Sequence, residues 1–268
     1  MFRKNLLKLK QKMKEDNIDL AIITDDDSLY YFTGYYNFLH MDFFRPTILL
    51  VPKDEESTLI TPLLDVLLIE KDCPVKNIKT WNDGIGEEWR ECLPNIIKKN
   101  KKIAFEKFKI NATVSNYLNN LENNHLMENI TPIIDEIRMI KNEEELKIAR
   151  HAGEVGLAMM EAGKKALGHN VPEYEIALAT SQAGTRKAAE LLKNYYNNVN
   201  MSPNIHFLQV MASGNDLPKT HHRASSKLIK KGDPVFLCFC GSTNFHRFKL
   251  GFDRIFWVEE IRDESQSR

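Results

Sequence analysis

The chain has no excess charge of either sign. Across 268 residues, 37 lysines and arginines balance 37 aspartates and glutamates. Without a basic surplus there is no electrostatic footprint for nucleic acid or for an acidic membrane surface, so neither is expected as a partner. Long apolar runs are missing too. Residues 1–20 (MFRKNLLKLKQKMKEDNIDL) carry a charge every few positions, which excludes a secretory h-region there, and no later stretch approaches a membrane span. Cysteine is scarce, with four scattered residues. Four such residues do not make the disulfide framework of a small secreted domain, and a reducing cytoplasm is the expected home. Cys238 and Cys240 sit two apart, which is not the spacing of a redox or zinc pair; in a strand they would share one face. No internal repeat or low-complexity tract is visible.

What is present is the patterning of a globular protein: 43% hydrophobic and 28% charged residues, at a length sufficient for two domains with real cores. Phe2, Leu6, Leu7, Leu9 and Met13 fit one helical face. Residues 18–24 (IDLAIIT), 29–33, 46–52 (PTILLVP), 58–61 and 102–106 read as strands, several buried on both faces. Residues 63–70, 87–98 and 112–122 read as helices between them, and this alternation predicts an α/β layer domain. Tyr30, Tyr31 and the aromatic residues through Phe44 read as core.

The character changes near residue 138, which divides the chain into domains 1–138 and 139–268. Residues 136–167 are strong helix formers, with Asn142 placed to cap and Glu145 to complete a capping box. Gly168 reads as the stop, and residues 172–193 as a second helix opened by Pro172. Residues 206–212, 234–240 and 254–259 then read as strands.

The most informative segment is residues 211–256, MASGNDLPKTHHRASSKLIKKGDPVFLCFCGSTNFHRFKLGFDRIF. A small-residue stretch, Ala212 to Asn215, precedes His221, His222 and Arg223. A Gly232–Asp233 turn leads to an apolar run through Cys238, and Asp253 and Arg254 enter the next one. This order resembles the catalytic domain of the creatinase/aminopeptidase P/prolidase superfamily, and EIRMIKNEEELKIARHA resembles the helix that opens it. The resemblance implies an α/β fold: a creatinase/prolidase-type (ribonuclease H-like) N-terminal domain followed by the first half of an α+β pita-bread domain. It also implies that the second half of the catalytic domain, with its further His and two late Glu residues, is missing, as in a truncated or split gene product.

In the metallopeptidase branch the strand after Gly-Asp carries a metal-binding Asp, and a second stands three residues before the Arg. Here those positions hold Cys238 and Gly251. A two-metal site needs carboxylates to bridge its cations, so no metal and no other cofactor is expected. The metal-free creatinase branch implies a different set of roles. His221 would transfer protons, Asp253 would grip a cationic nitrogen, and Phe43 and Arg45 of a partner copy would hold a substrate carboxylate. A homodimer with a shared site follows from the same resemblance. The expected chemistry is metal-independent C–N hydrolysis of a small amidine or guanidino carboxylate, such as creatine or ectoine, with the truncated chain by itself expected to be inactive. The alternatives are a Xaa-Pro peptidase relative with a degenerate metal site, and a non-catalytic dimeric binding protein. Simpler roles stand beside these: His222 as a surface polar residue, Arg45 as a cation–π or interface residue, Asp253 and Arg254 as an ion pair, and Cys238 as a small core hydrophobe or a nucleophile.

Overall fold

The computed structural model describes residues 1–35, 45–69, 71–82, 84, 88–97, 101–120, 126–199, 201–203, 210–239 and 245–259, with the side chain of Asn95 set aside. The chain divides into two compact units, Met1–Lys141 and Asn142–Arg268.

The first unit is a mixed α/β layer structure. Its elements are α1 (Phe2–Glu15), β1 (Leu20–Ile23), α2 (Asp26–Thr33), β2 (Ile48–Pro52), β3 (Thr58–Pro62), β4 (Asn77–Trp81), α3 (Pro94–Ile97), β5 (Lys102–Phe105), α4 (Ala112–Asn119), β6 (Leu126–Asn129) and α5 (Thr131–Met139). The strands form one six-stranded sheet in the order β4-β3-β2-β1-β5-β6. β1 runs antiparallel to β2 and parallel to β5, and β3–β4 and β5–β6 are parallel. Alternate residues of the central strands go to opposite faces, as the period of two requires. Ala21, Ile23, Leu49 and Val51 pack with Leu9 and Met13 of α1, Phe32 of α2 and Ile134 of α5. Leu20, Ile22, Ile48 and Leu50 pack with Trp89, Leu93 and Ile97 and with Val114 and Leu118 of α4. Both faces are covered, which is why these strands read as continuous apolar runs.

Local chemistry explains where the sequence expectation and the structure differ. Residues 29–33 form the second half of helix α2, not a strand. Asp25 accepts from the Ser28 backbone N–H at 3.0 Å, and Gly34 closes the helix in the left-handed conformation at φ 75°. Ser28 through Thr33 are all buried, so the aromatic run carries no helical period. Leu7, assigned to the apolar face of α1, is exposed. Strands β4 and β6 lack a continuous apolar run, and the sequence pattern does not mark them. They flank the sheet and hold it by parallel pairing with β3 and β5.

The second unit begins with two helices, α6 (Glu143–Ala166) and α7 (Glu173–Tyr196), followed by β7 (Val210–Ser213), β8 (Pro234–Cys238) and β9 (Asp253–Trp257) in a three-stranded antiparallel sheet ordered β7-β8-β9. The capping box is present: Glu145 N–H donates to Asn142 Oδ1 at 3.0 Å, and Asn142 N–H donates to Glu145 Oε2 at 2.7 Å. Asn142→Ala removes one half of it and should cost about 1 kcal/mol, read as a lower urea midpoint with unchanged slope. α6 ends at Ala166, two residues before Gly168, and α7 starts one residue after Pro172. Gly163 lets the layers meet. A Cβ there would lie 2.8 Å from Thr180 Cγ2 and 2.9 Å from Leu237 Cδ1, so α6, α7 and β8 converge on a position with room only for hydrogen. Among the described residues no helix is long and apolar enough to cross a membrane.

Candidate functional site

The three-stranded sheet brings several candidate residues to one end. Cys238 is the last residue of β8, and its Cα partners are Val210 on β7 and Asp253 on β9. Directly opposed residues of an antiparallel ladder share a face, so the Cys238 thiol and the Asp253 carboxylate lie on the same side of the sheet. The opposite side carries Val235 and Leu237, both fully buried. Cys238 is buried and Asp253 exposed, so the thiol sits behind a solvated carboxylate. The Arg254 guanidinium donates to the Asp253 backbone carbonyl at 2.6 Å.

The histidine pair approaches from the far side of β7. Met211 N–H donates to the His222 carbonyl at 2.9 Å, and the His222 ring Nδ1 lies 2.8 Å from the Met211 carbonyl oxygen. His222 is therefore tied to the strand, while His221 is exposed on a turn with φ 59°. A left-handed backbone on a non-glycine residue is uncommon and costs on the order of 1 kcal/mol, so the surrounding loop must impose it. The run 222–β7–β8–β9 places the histidine segment about three strand spacings, roughly 14 Å, from Asp253 along the sheet.

A buried polar network that sequence reading missed holds this loop. Glu173, the first residue of α7, is fully buried. Its Oε1 accepts from Ser213 Oγ at 2.6 Å, and its Oε2 accepts from Ser225 Oγ at 2.7 Å and Ser225 N–H at 3.1 Å. Lys227 Nζ bonds Asp216 Oδ2 at 2.7 Å, and Lys219 pairs with the other Asp216 oxygen. The hydrogen bonds from Lys219 and then Lys227 hold the Asp216 carboxyl down at about 2. The start of the loop turns at Gly214, φ 51°, where a Cβ would lie 3.0 Å from the Asp233 carboxylate. These anchors lie before and after His221 and His222. The sequence signals for them are the small-residue stretch 212–215 and the Gly232–Asp233 turn; Glu173 itself carries none, because its partners are 40 and 52 residues away.

A second cluster joins α6, α7 and the 245–248 turn. His151 Nδ1 lies 2.8 Å from Tyr196 Oη, and the Tyr196 ring packs on His246 and Phe245 with centroids at 4.5 and 5.8 Å. Burial pushes Tyr196 up to about 12 and His246 down to about 4, so His246 is uncharged at neutral pH.

The other predicted residues stand elsewhere. Arg45 belongs to the first unit, half-buried beside Pro46, whose carbonyl accepts from Trp81 Nε1 at 3.1 Å. Phe43 and Cys240 lie outside the described residues. Gly251 is exposed before β9. Cys238 offers one thiol and Gly251 no side chain, a donor pair that does not fit a centre in which carboxylates bridge two cations.

Comparison with known proteins follows the same division. Residues 6–140 match the family described as Creatinase/Prolidase N-terminal domain. The chain is 28% identical over 182 residues to a Xaa-Pro dipeptidase of Lactobacillus helveticus, covering 65% of this chain and 47% of that protein. It is 21% identical over 268 residues to a creatinase of a Bacillus species, covering 98% and 61%. A solved Xaa-Pro dipeptidase from Bacillus anthracis superposes with a TM-score of 0.77 at 19% identity, over 100% of this chain and 68% of that one, a likeness of fold. The chain thus spans about half to three-fifths of the length of these curated relatives.

Proposed function

The chain belongs to the creatinase/prolidase family, and on that premise we propose that it carries part of the site of a C–N bond hydrolase acting on a small amidine or guanidino carboxylate. One observation carries this reading. Where the resemblance would place carboxylate metal ligands, the second unit has a buried thiol and a glycine, with the solvated Asp253 carboxylate directly across from that thiol.

The chemistry closes without a Lewis acid if the carbon is already electrophilic. His221 takes a proton from water as the water oxygen bonds to the amidine or guanidino carbon. The same imidazolium returns that proton to the nitrogen that leaves as the C–N bond breaks. Asp253 compensates the positive charge delocalised over the substrate nitrogens. Arg45, with Phe43, supplies a fork for the substrate carboxylate from a second copy of the chain, so the working assembly is a homodimer.

A peptidase reading stands beside it because the 28%-identical relative is a Xaa-Pro dipeptidase. The two make opposite predictions about cations. In the first, turnover of creatine or ectoine by the purified chain is unchanged by a chelator. In the second, Xaa-Pro dipeptides are cleaved and the activity appears only with added manganese, cobalt or zinc. Amine release from all three substrate classes, each with chelator and with metal, separates them. A folded dimer inert in every arm overturns both and favours a binding role.

A further inference from the structure

Apart from the candidate site, the first unit buries an acidic group whose hydrogen bonds do not add up unless it holds a proton. Glu106 directly follows β5 and is 0% exposed. Its Oε1 lies 2.7 Å from Ser28 Oγ, and its Oε2 has no hydrogen-bond partner among the described residues. The same Ser28 Oγ lies 3.1 Å from Asp25 Oδ2, the oxygen that caps α2 through Ser28 N–H.

Two oxygen–oxygen contacts of hydrogen-bond length need two protons. The Ser28 hydroxyl supplies one, and both of its neighbours are carboxyl groups. If both carboxyls are ionised, one contact sets two lone pairs against each other. A proton on Glu106 resolves this: Glu106 donates to Ser28 Oγ, and the Ser28 hydroxyl donates to Asp25 Oδ2. Asp25 is the less suitable holder, because it already accepts from a backbone N–H and Lys109 Nζ stands 3.9 Å from its Oδ2.

We propose that Glu106 is a buried proton-binding site, and that its proton completes a Glu106–Ser28–Asp25 relay that caps helix α2. The charged groups facing it are Asp25 at the start of α2, Lys109 beyond β5 and Arg138 on α5. Burial, the dominant influence, pushes the Glu106 carboxyl up to about 7; a Ser28 hydroxyl turned to donate to Glu106 would oppose the rise, Asp25 adds to it, and Lys109 and Arg138 oppose it. The unfolded chain returns this carboxyl to its ordinary value near 4.5, so folding takes up a proton between those limits. The contribution to stability is full below pH 4.5, falls as pH rises through the window, and is flat above about 7.

The test is urea unfolding of the full chain and of Glu106→Gln from pH 4.5 to 8, with the Glu106 carboxyl carbon followed by NMR. The glutamine side chain is isosteric, neutral and able to donate to Ser28. Between pH 4.5 and 7 the parent should lose folding equilibrium constant relative to the variant by on the order of 100-fold. The carboxyl resonance should titrate near neutrality. Parallel stability curves, or a carboxyl midpoint near 4.5, overturn the proposal. If Glu106→Gln does not fold, the parent's carboxyl midpoint decides alone.

Discussion

Replacing His221 with asparagine is expected to lower turnover of an accepted substrate by roughly 10²- to 10⁴-fold while leaving stability nearly unchanged. Two features make this pair of outcomes specific. His221 is exposed, so its loss opens no cavity, and asparagine tolerates the left-handed backbone at φ 59° better than most residues. His222 supplies the contrast. Its ring is bonded to the Met211 carbonyl, so His222→Ala should cost about 1 kcal/mol of stability and alter activity only through the loop. A transfer of protons by His221 shows as a lower kcat at similar KM. If His221→Asn turns over substrate like the parent, His221 is a turn residue and the proton carrier lies elsewhere.

Glu173→Ala is expected to destabilise the second unit by about 3 kcal/mol, because it removes a fully buried carboxylate that accepts three hydrogen bonds. Three donors lose their acceptor together: the hydroxyls of Ser213 and Ser225 and the Ser225 N–H. Ser213 is itself fully buried, so water cannot repair its loss without opening the junction of α7 and β7. Glu173→Gln keeps a carbonyl but turns an amide N–H₂ toward a donor, and should cost less than half as much. Limited proteolysis reports the consequence directly, with cleavage around residues 217–226 rising in Glu173→Ala before the first unit is attacked. Equal urea midpoints for the parent and Glu173→Ala would show that this carboxylate does not anchor the loop.

Much of the architecture was legible because burial writes itself into one-dimensional patterns. The apolar runs of β1, β2 and β5, the capping residues of α6 and the apolar run of β8 each report a local environment. Where two environments write the same pattern, reading failed. Residues 29–33 are apolar because α2 is buried along that whole stretch, and a wholly buried helix looks like a buried strand. β4 and β6 were invisible because their residues are largely exposed or half-buried, and their identity rests on parallel pairing with β3 and β5.

The candidate site divides along the same line. The residue types at 221, 238, 251 and 253 belong to the sequence, and with them the replacement of two carboxylates by a thiol and a glycine. Only the folded chain decides that Cys238 and Asp253 stand opposite each other, that His222 is strapped to β7, and that Glu173 holds the loop between them. It alone decides that Glu106 and Asp25 compete for one serine hydroxyl 78 residues from Glu106. Side-chain chemistry is carried by each residue wherever it sits. Proximity and desolvation are properties of pairs that are remote along the chain, and they arise only when the strands and helices pack.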